Sequence, residues 1–264
     1  TDDPKILSNY LVDTDQTYKS DKKEKIEMEK IYPESYLEKL LPMKTFYEKR
    51  GISSKIQSRR IVFPIYNLEG QIHGFSGRTI TNDENTPKWK HMGKKGGWLY
   101  PYHLSKKPIE ESKEVILVES IGDCLALYEA GFKNVLVTFG LDASSKLISY
   151  LNTFELDRII VATNNDKTKE INSGGIASVK AVAKLSQVFD LSIIRVNPPL
   201  RNDFGEMLEC DTGCLENFKQ WHQRKDKWRM SDEKFQKYII KQINKYEQLK
   251  KNTHCKKLLK ILNG

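Results

Sequence analysis

The sequence EVILVESIGDCLALYEAGF at residues 114–132 joins a short apolar strand, VILV (115–118), to an amphipathic helix. Three further apolar runs follow it along the chain: NVLVTF (134–139), RIIVAT (158–163) and LSIIRV (191–196). Helical patterns, ASSKLISYLNTF and GGIASVKAVAKLSQVF, lie between them. Strands alternating with helices of this length predict βαβ units and a parallel sheet that helices cover on both faces.

Acidic and amide side chains follow three of these strands. Because ligand sites in such sheets form at the carboxyl ends of strands, we expect these side chains to converge. Their oxygen atoms suit Mg²⁺ or Mn²⁺, and two such ions can activate a hydroxyl and stabilise a leaving pyrophosphate. Any one acid could instead cap a helix, but the set as a whole favours a metal site. The candidates are Glu119, Asp123, Asn164, Asp166 and Asp203.

Upstream of residue 114, a β-hairpin and a basic, aromatic loop are predicted. The runs RIVFPIY (60–66) and QIHGFSG (71–77) are joined by the turn sequence Asn-Leu-Glu-Gly at 67–70. The loop TNDENTPKWKHMGKKGGWLYPY (81–102) follows. Its aromatic side chains could stack on nucleic-acid bases, although core packing is the better expectation for Trp98.

The bulk composition is that of a globular chain without a membrane span. Of the 264 residues 38% are hydrophobic and 30% charged, and no run approaches the ~20 apolar residues that a span needs. The polar, acidic start has no secretory pattern, so we expect a cytoplasmic location and no membrane partner. Four cysteines are too few for a disulfide scaffold of this size. Cys124 is predicted to be a reduced core residue. A zinc site at Cys210 and Cys214 with a downstream histidine is conceivable, but scattered thiols fit the spacing better.

The net charge of +9 is concentrated at the C-terminal end. The segment from Leu215 onward holds 14 Lys and Arg against 5 Asp and Glu, which accounts for the whole excess. Its residues Phe235, Ile239, Ile243 and Tyr246 recur at helical spacing, opposite a lysine-rich face. A solvated lysine-rich helix and a contact with nucleic acid or a protein partner are both compatible with this pattern. We predict four units: 1–44, helical; 45–112, basic; 113–210, metal-binding; and 211–264, basic and helical.

The strand-end residues resemble the motifs of the TOPRIM family over roughly residues 114–208. VESIGDCLALYEAGF resembles the first TOPRIM motif, in which a Glu ends a strand and an Asp follows four residues later. IIVATNNDKTKEINSGGIASVKAV resembles the second, which is D-x-D before a Gly-led helix. The resemblance implies functional roles for Glu119, Asp123, Asn164 and Asp166, and gives Asp203 the later acidic position. Asn164 stands where the family has an Asp, so one charge is missing, and KTKEINS is an insertion.

The upstream segment is similar to the basic subdomain of bacterial (DnaG-type) and phage primases, and phage primases look the nearer relatives. It carries the series FYEKRGIS, RRIVFPIYNLEGQIHGFSGRTI and TPKWKHMGKKGGWLYPYHL. The resemblance implies that four basic residues bind the nucleotide and the template: Arg60, Arg78, Lys88 and Lys94, with Lys95 as the alternative to the last.

These resemblances imply a phage-type DNA primase core that makes RNA primers on single-stranded DNA from ribonucleoside triphosphates. Glu119, Asp123 and Asp166 would be catalytic, and Glu119, Asn164, Asp166 and Asp203 would hold two Mg²⁺ or Mn²⁺ ions. The C-terminal helices are expected to contact the replicative helicase or DNA. Two alternatives remain at this stage, a TOPRIM-type nuclease and a non-catalytic nucleic-acid-binding subunit of a primosome.

Overall fold

The computed structural model describes residues 30–38, 55–57, 60–80, 86–140, 143–167, 169–209 and 214–263. Of the unit 1–44, predicted to be helical, only residues 30–38 are described, and there Tyr32 forms a β-bridge with Ile72. The stretch TFYEKRGIS, which contributes to the primase resemblance, also lies outside them. A short helix, α1 (Ser35–Glu38), precedes the first strand.

The predicted hairpin is the centre of a four-stranded antiparallel sheet. Its strands are β1 (Lys55–Gln57), β2 (Arg60–Tyr66), β3 (Ile72–Thr79) and β4 (Trp89–Met92), in the order β1-β2-β3-β4. The turn forms because the Asn67 side-chain oxygen accepts the N–H groups of Glu69 and Gln71, at 3.1 and 2.8 Å. Gly70 supplies the positive φ of 79° that the turn requires.

The second sheet is parallel, as predicted. Its strands are β5 (Glu114–Val118), β6 (Val135–Val137), β7 (Arg158–Val161) and β8 (Ile194–Val196), in the order β6-β5-β7-β8. The helices between them are α3 (Ile121–Glu129), α4 (Ser145–Leu151) and α5 (Ser173–Leu185), and α2 (Tyr102–Ser112) leads into β5. The chain leaves β5 towards β6 and then returns to β7 on the other side. The strand order therefore reverses between β5 and β7.

Alternate residues of β5 enter two different hydrophobic cores. Val115 and Leu117 pack with α4, α5 and the C-terminal helices. Ile116 and Val118 pack with α3 and with residues of β2, including Phe63 and Ile65. Burial on both faces explains the uninterrupted apolar run, and the second core joins the two sheets.

The fourth apolar run differs from its prediction in one respect. Leu191–Ile193 form a 3-10 turn, and only Ile194–Val196 form a strand. The Asp190 carboxylate accepts the Ser192 N–H at 2.6 Å and so caps a turn where the apolar pattern alone predicts extended chain.

The C-terminal region is helical, as predicted, and packs onto the parallel sheet. It consists of α6 (Phe204–Leu208), α7 (Cys214–Gln223), a 3-10 turn at Arg224–Lys227, α8 (Glu233–Lys245), α9 (Glu247–Lys250) and α10 (Thr253–Asn263). Phe218 and Trp221 join one core of the sheet, while Phe235, Ile239 and Ile243 join the other. The lysine-rich helices thus share their cores with the predicted metal-binding unit. No described helix is long and apolar enough to cross a membrane.

Candidate active site

Glu119 and Asn164 meet at the point where the strand order reverses. Glu119 directly follows β5, and Asn164 lies three residues beyond the end of β7. The Asn164 backbone N–H donates to Glu119 Oε1 at 3.0 Å. Open α/β sheets bind their ligands at such a reversal because the flanking loops diverge there and leave a crevice.

Asp123 is held rigidly beside Glu119 by two hydrogen bonds to its carboxylate. Ser120, the N-cap of α3, donates its hydroxyl to Asp123 Oδ2 at 2.6 Å. The Phe204 N–H donates to Asp123 Oδ1 at 3.1 Å. Asp203, next to Phe204, caps α6 by accepting the Glu206 N–H at 2.8 Å. Asp123 therefore fixes the α6 terminus, and with it Asp203, against α3.

Asp166 is buried at the N-terminus of α5. The Gly174 N–H donates to its Oδ2 at 3.0 Å, and Lys169 forms an ion pair with its Oδ1. Gly174 also permits a close approach of the chain, because a Cβ there would lie 1.8 Å from the Asn164 carbonyl oxygen. Lys169 belongs to the insertion KTKEINS, so this chain itself supplies a cation to the second motif.

The crowding of these carboxylates changes their protonation. Burial raises the pKa of Glu119 to about 7, and the neighbouring carboxylates Asp123 and Asp166 also raise it. Burial likewise raises the pKa of Asp123 to about 6, with a further contribution from Asp203. Neighbouring carboxyl groups with raised pKa values are typical of a site that binds a cation.

A cleft of about 660 Å³ brings this acidic wall opposite two of the predicted basic residues. Its lining includes Glu119, Asp123, Asn164 and Asp203, with Glu206 and Glu209, from the parallel sheet and its helices, and Arg78 and Lys88 from β3 and the loop before β4. The Arg78 guanidinium lies over the ring of Trp89, 5.4 Å from its centroid. Carboxylates facing Arg and Lys across one cleft can hold a metal-bound polyphosphate.

Three predicted residues do not line this cleft. Asp166 lies two residues after Asn164, and its carboxylate contacts the Gly174 N–H and Lys169 instead of the cleft. Arg60 donates to the Gly77 and Pro87 carbonyl oxygens, at 3.2 and 2.8 Å, and so joins β2 to β3 and the loop before β4. Lys94 is exposed at the start of the 3-10 turn Lys95–Gly97.

The cleft also contains side chains that the motifs do not identify. His91 follows Trp89 by two residues in β4, so the two rings share a face of the strand and lie nearly parallel, with centroids 6.5 Å apart. Burial and the nearby Lys95 lower the pKa of His91. Phe139 borders the cleft with a left-handed φ of 57°. Because alternate side chains of a strand share a face, the sequence could have placed His91 beside Trp89. Nothing in the sequence identifies Phe139. Trp98 is buried in the core, as expected.

The donor set fits a hard divalent cation in its chemistry. All its atoms are oxygens, and the buried Asn164 Oδ1 accepts no hydrogen bond from any described residue. Within the described ranges, however, no three His, Cys, Asp or Glu side chains already form a closed metal cluster. Asp166, for its part, is paired with Lys169. Cys210, of the conceivable zinc site, lies outside the described residues, and Cys124 is a buried free thiol, as predicted.

The parallel sheet carries its acidic residues where the strand order reverses, and a basic antiparallel sheet lies across the cleft. This arrangement is that of a TOPRIM-type protein that acts on nucleic acid. Two family models match the chain: "DNA primase catalytic core, N-terminal domain" over residues 12–106 and "Toprim-like" over residues 116–208. Together they match more than half of the chain. The chain belongs to the DnaG-type primase family.

Individual relatives agree with this assignment. The chain is 34% identical over 132 residues to the DNA primase of Helicobacter pylori, which is 48% of this chain and 22% of that relative. It is 28% identical over 180 residues to the DNA primase of Borreliella burgdorferi, 66% of this chain and 32% of the relative. The matched part is thus less than a third of either relative.

The solved primase structures share the fold. The zinc-binding and RNA polymerase domains of the Aquifex aeolicus primase align with a TM-score of 0.51 and 26% identity, covering 72% of this chain and 45% of that one. A DNA primase domain from Pseudomonas aeruginosa aligns with a TM-score of 0.52 at 21% identity, covering 65% of this chain and 52% of that one. The α/β fold predicted from the sequence is therefore confirmed.

Proposed function

We propose that this chain is the catalytic core of a DNA primase, which joins ribonucleotides on a single-stranded DNA template. The observation that supports this most is the cleft in which Glu119, Asp123 and Asp203 face Arg78 and Lys88. The relatives of the chain that are named above are DNA primases. A polymerase needs groups that bind metal ions and groups that bind phosphates, and this cleft has both.

We assign a role to each of the candidate site residues. Glu119, Asn164, Asp166 and Asp203 would hold two divalent ions, Mg²⁺ or Mn²⁺. When bound, such ions activate the attacking 3′-hydroxyl and neutralise the leaving pyrophosphate.

Asp123 positions Asp203 through its bond to the Phe204 N–H, besides adding charge to the site. Arg78 and Lys88 bind the triphosphate, and Trp89 holds the Arg78 guanidinium in place. The family resemblance implies that all four basic residues bind nucleotide and template; because Arg60 and Lys94 lie outside the cleft, we assign these two to the template backbone.

Lys169 must leave Asp166 before an ion binds there. Its side chain is 59% exposed, so it can turn into solvent at small cost. Asn164 would coordinate an ion through a neutral oxygen, and the substrate phosphates would supply the charge that the missing carboxylate would give.

Primer synthesis and DNA cleavage, assayed together, test this function. The chain is incubated with labelled ribonucleoside triphosphates, single-stranded DNA and Mg²⁺ or Mn²⁺. We expect short template-dependent RNA without DNA cleavage, and its loss with a chelator or with Glu119→Gln. The matched control is Glu155→Gln, a substitution of an acid that is 91% exposed and remote from the cleft.

Two other results would contradict the proposal. Cleavage without incorporation would indicate a TOPRIM nuclease, and DNA binding with neither activity would indicate a non-catalytic subunit. A replicative-helicase partner, a cytoplasmic location and a phage origin stay predictions, and the relatives named above are bacterial.

A further inference from the structure

A second cavity of about 480 Å³ lies between α5 and the C-terminal helix α8. Asn164 borders both this cavity and the catalytic cleft, and the other lining residues of the two differ. Val179 of α5 and Phe235 and Ile239 of α8 form its apolar part. The volume is within the range of about 300–1,000 Å³ that small-molecule sites occupy.

The polar part of this second cavity carries an excess of positive charge. Lys167, Lys227 and Lys234 line it, against the single carboxylate of Asp232. Asp232 is engaged in capping α8, where it accepts the Phe235 N–H at 3.0 Å. Among the described residues, none of these three lysines forms an ion pair. The cavity is therefore electrostatically suited to an anion.

Two aromatic rings border the same space. Lys167 and Lys227 lie 5.6 and 5.7 Å from the centroid of the Trp228 ring, and Arg224 lies 5.1 Å from it, so this ring is surrounded by cations. Tyr238 lines the cavity, is 43% exposed, and stacks its ring against that of Phe235. Exposed aromatic surface beside cations is the combination on which nucleobases stack.

The side-chain amide of Asn165, in the wall of the second cavity, has an oxygen atom without a hydrogen-bond donor among the described residues. The Asn165 Nδ2 group donates to the Pro199 carbonyl oxygen at 3.2 Å, which fixes the orientation of the amide. Its Oδ1 is buried and accepts no hydrogen bond from the described part of the chain. Buried acceptors of this kind are rarely left unpaired, so a ligand with N–H or O–H donors suits the wall.

We propose that this second cavity binds a free nucleoside triphosphate. Its phosphates lie among Lys167, Lys227 and Lys234, its base lies against Tyr238, and a base amine or ribose hydroxyl donates to Asn165. A phosphate group alone would satisfy the lysines but leave the Tyr238 ring and the amide oxygen unused. The site is separate from the metal-dependent cleft and does not depend on the proposed polymerase activity.

Calorimetric titration of the full chain with ATP in EDTA tests the proposal, because the chelator removes divalent ions from the catalytic cleft. We expect saturable binding of one ATP, and affinity reduced about tenfold or more by Lys227→Glu with Lys234→Glu. Lys241→Glu is the matched control: it lies on the same helix, is exposed, and does not line the cavity. Thermal unfolding followed by circular dichroism checks that all variants fold alike.

Several outcomes would overturn the proposal. The site is not there if ATP does not bind in EDTA, or if binding is lost with Arg78→Ala and kept in the double lysine variant. Tripolyphosphate binding as tightly as ATP would exclude recognition of the nucleoside. If the double variant loses affinity for single-stranded DNA while free ATP never binds, the cavity accommodates a nucleic-acid strand instead.

Discussion

When no metal is bound, ionisation of Glu119 lowers the free energy of unfolding of the chain. Its pKa is raised from 4.5 to about 7, so the folded state binds this proton more tightly than the unfolded state. Its contribution to the free energy of unfolding is therefore greatest below about pH 4.5 and falls as the pH rises towards 7. In EDTA at pH 8, we expect Glu119→Gln to stabilise the chain by roughly 1–3 kcal/mol in urea unfolding.

Glu114, the first residue of β5, provides the opposite case to Glu119, which follows that strand. Burial would raise its pKa, but hydrogen bonds from His222 and Lys225 hold that pKa at about 2, and Arg158 adds an ion pair. Its stabilisation is present above about pH 4.5 and is lost as the pH falls towards 2. Glu114→Gln should destabilise the chain by about 3 kcal/mol at pH 8, because it removes a buried carboxylate from the partly buried Lys225 and Arg158 that pair with it. Equal effects of the two substitutions would contradict this assignment of the charges.

Lys169 competes with divalent ions for Asp166. Lys169→Ala removes the competing ammonium, so we expect Mn²⁺ to bind about two- to fivefold more tightly, a small factor because the lysine is largely exposed. Binding is measured by the loss of the free Mn²⁺ signal in electron paramagnetic resonance. Lys167→Ala, which removes an exposed lysine two residues away, should leave the affinity unchanged. Weaker binding in the Lys169 variant would mean that the lysine assists the site.

At the scale of elements, the start of α5 depends on Gly174. A Cβ at this position would overlap the Asn164 carbonyl oxygen, so the helix would have to move away from β7 and from Asp166. We expect Gly174→Ala to lower the free energy of unfolding by about 2–3 kcal/mol, measured by urea titration.

Gly122 in the first turn of α3 is the matched position. A Cβ there would lie 3.5 Å from the nearest atom, the Ser120 hydroxyl oxygen, which is ordinary contact. Gly122→Ala should be neutral or stabilise the helix by up to about 1 kcal/mol. A Gly174→Ala variant as stable as Gly122→Ala would contradict the close approach of α5 to the end of β7.

The elements of the parallel sheet were predictable because each signal is local. The runs at 115–118 and 158–163 have their acids or amides immediately after them, and chain direction alone places those groups at one edge. Lys169 was not predictable, because its contact with Asp166 depends on how the insertion folds. The turn at 191–193 was missed because the capping carboxylate of Asp190 overrides an apolar pattern.

At the scale of the whole molecule, the basic C-terminal helices stabilise the core. The helical spacing of Phe235, Ile239 and Ile243 predicts a buried face but cannot say what covers it. In the structure this face packs onto the parallel sheet through the same core as Val115 and Leu117. Charge alone therefore describes this region incompletely.

Deleting residues 215–264 should prevent folding. The deletion removes buried side chains from both cores, each of which stabilises by about 1.5–3 kcal/mol, against a typical stability of about 5–15 kcal/mol. We expect loss of the cooperative unfolding transition in circular dichroism. A folded, active truncated chain would contradict the packing.

A milder change tests the predicted contact of these helices with DNA. Lys241, Lys256 and Lys260 are exposed, so replacing all three with Gln lowers the charge without opening the core. If these helices contact the phosphate backbone, the affinity for single-stranded DNA should fall, and its dependence on salt should weaken by up to about two units of slope. Unchanged affinity and slope would indicate a solvated face.

The central claim is that Glu119, Asn164, Asp166 and Asp203 hold divalent ions where the strand order reverses. The most direct measurement is an anomalous difference map from crystals of the full chain soaked with Mn²⁺ and a ribonucleoside triphosphate. The account predicts Mn²⁺ peaks within coordination distance of Glu119 and Asp166, with the triphosphate bridging them to Arg78. Mn²⁺ found only elsewhere, with Lys169 still paired to Asp166, would contradict it.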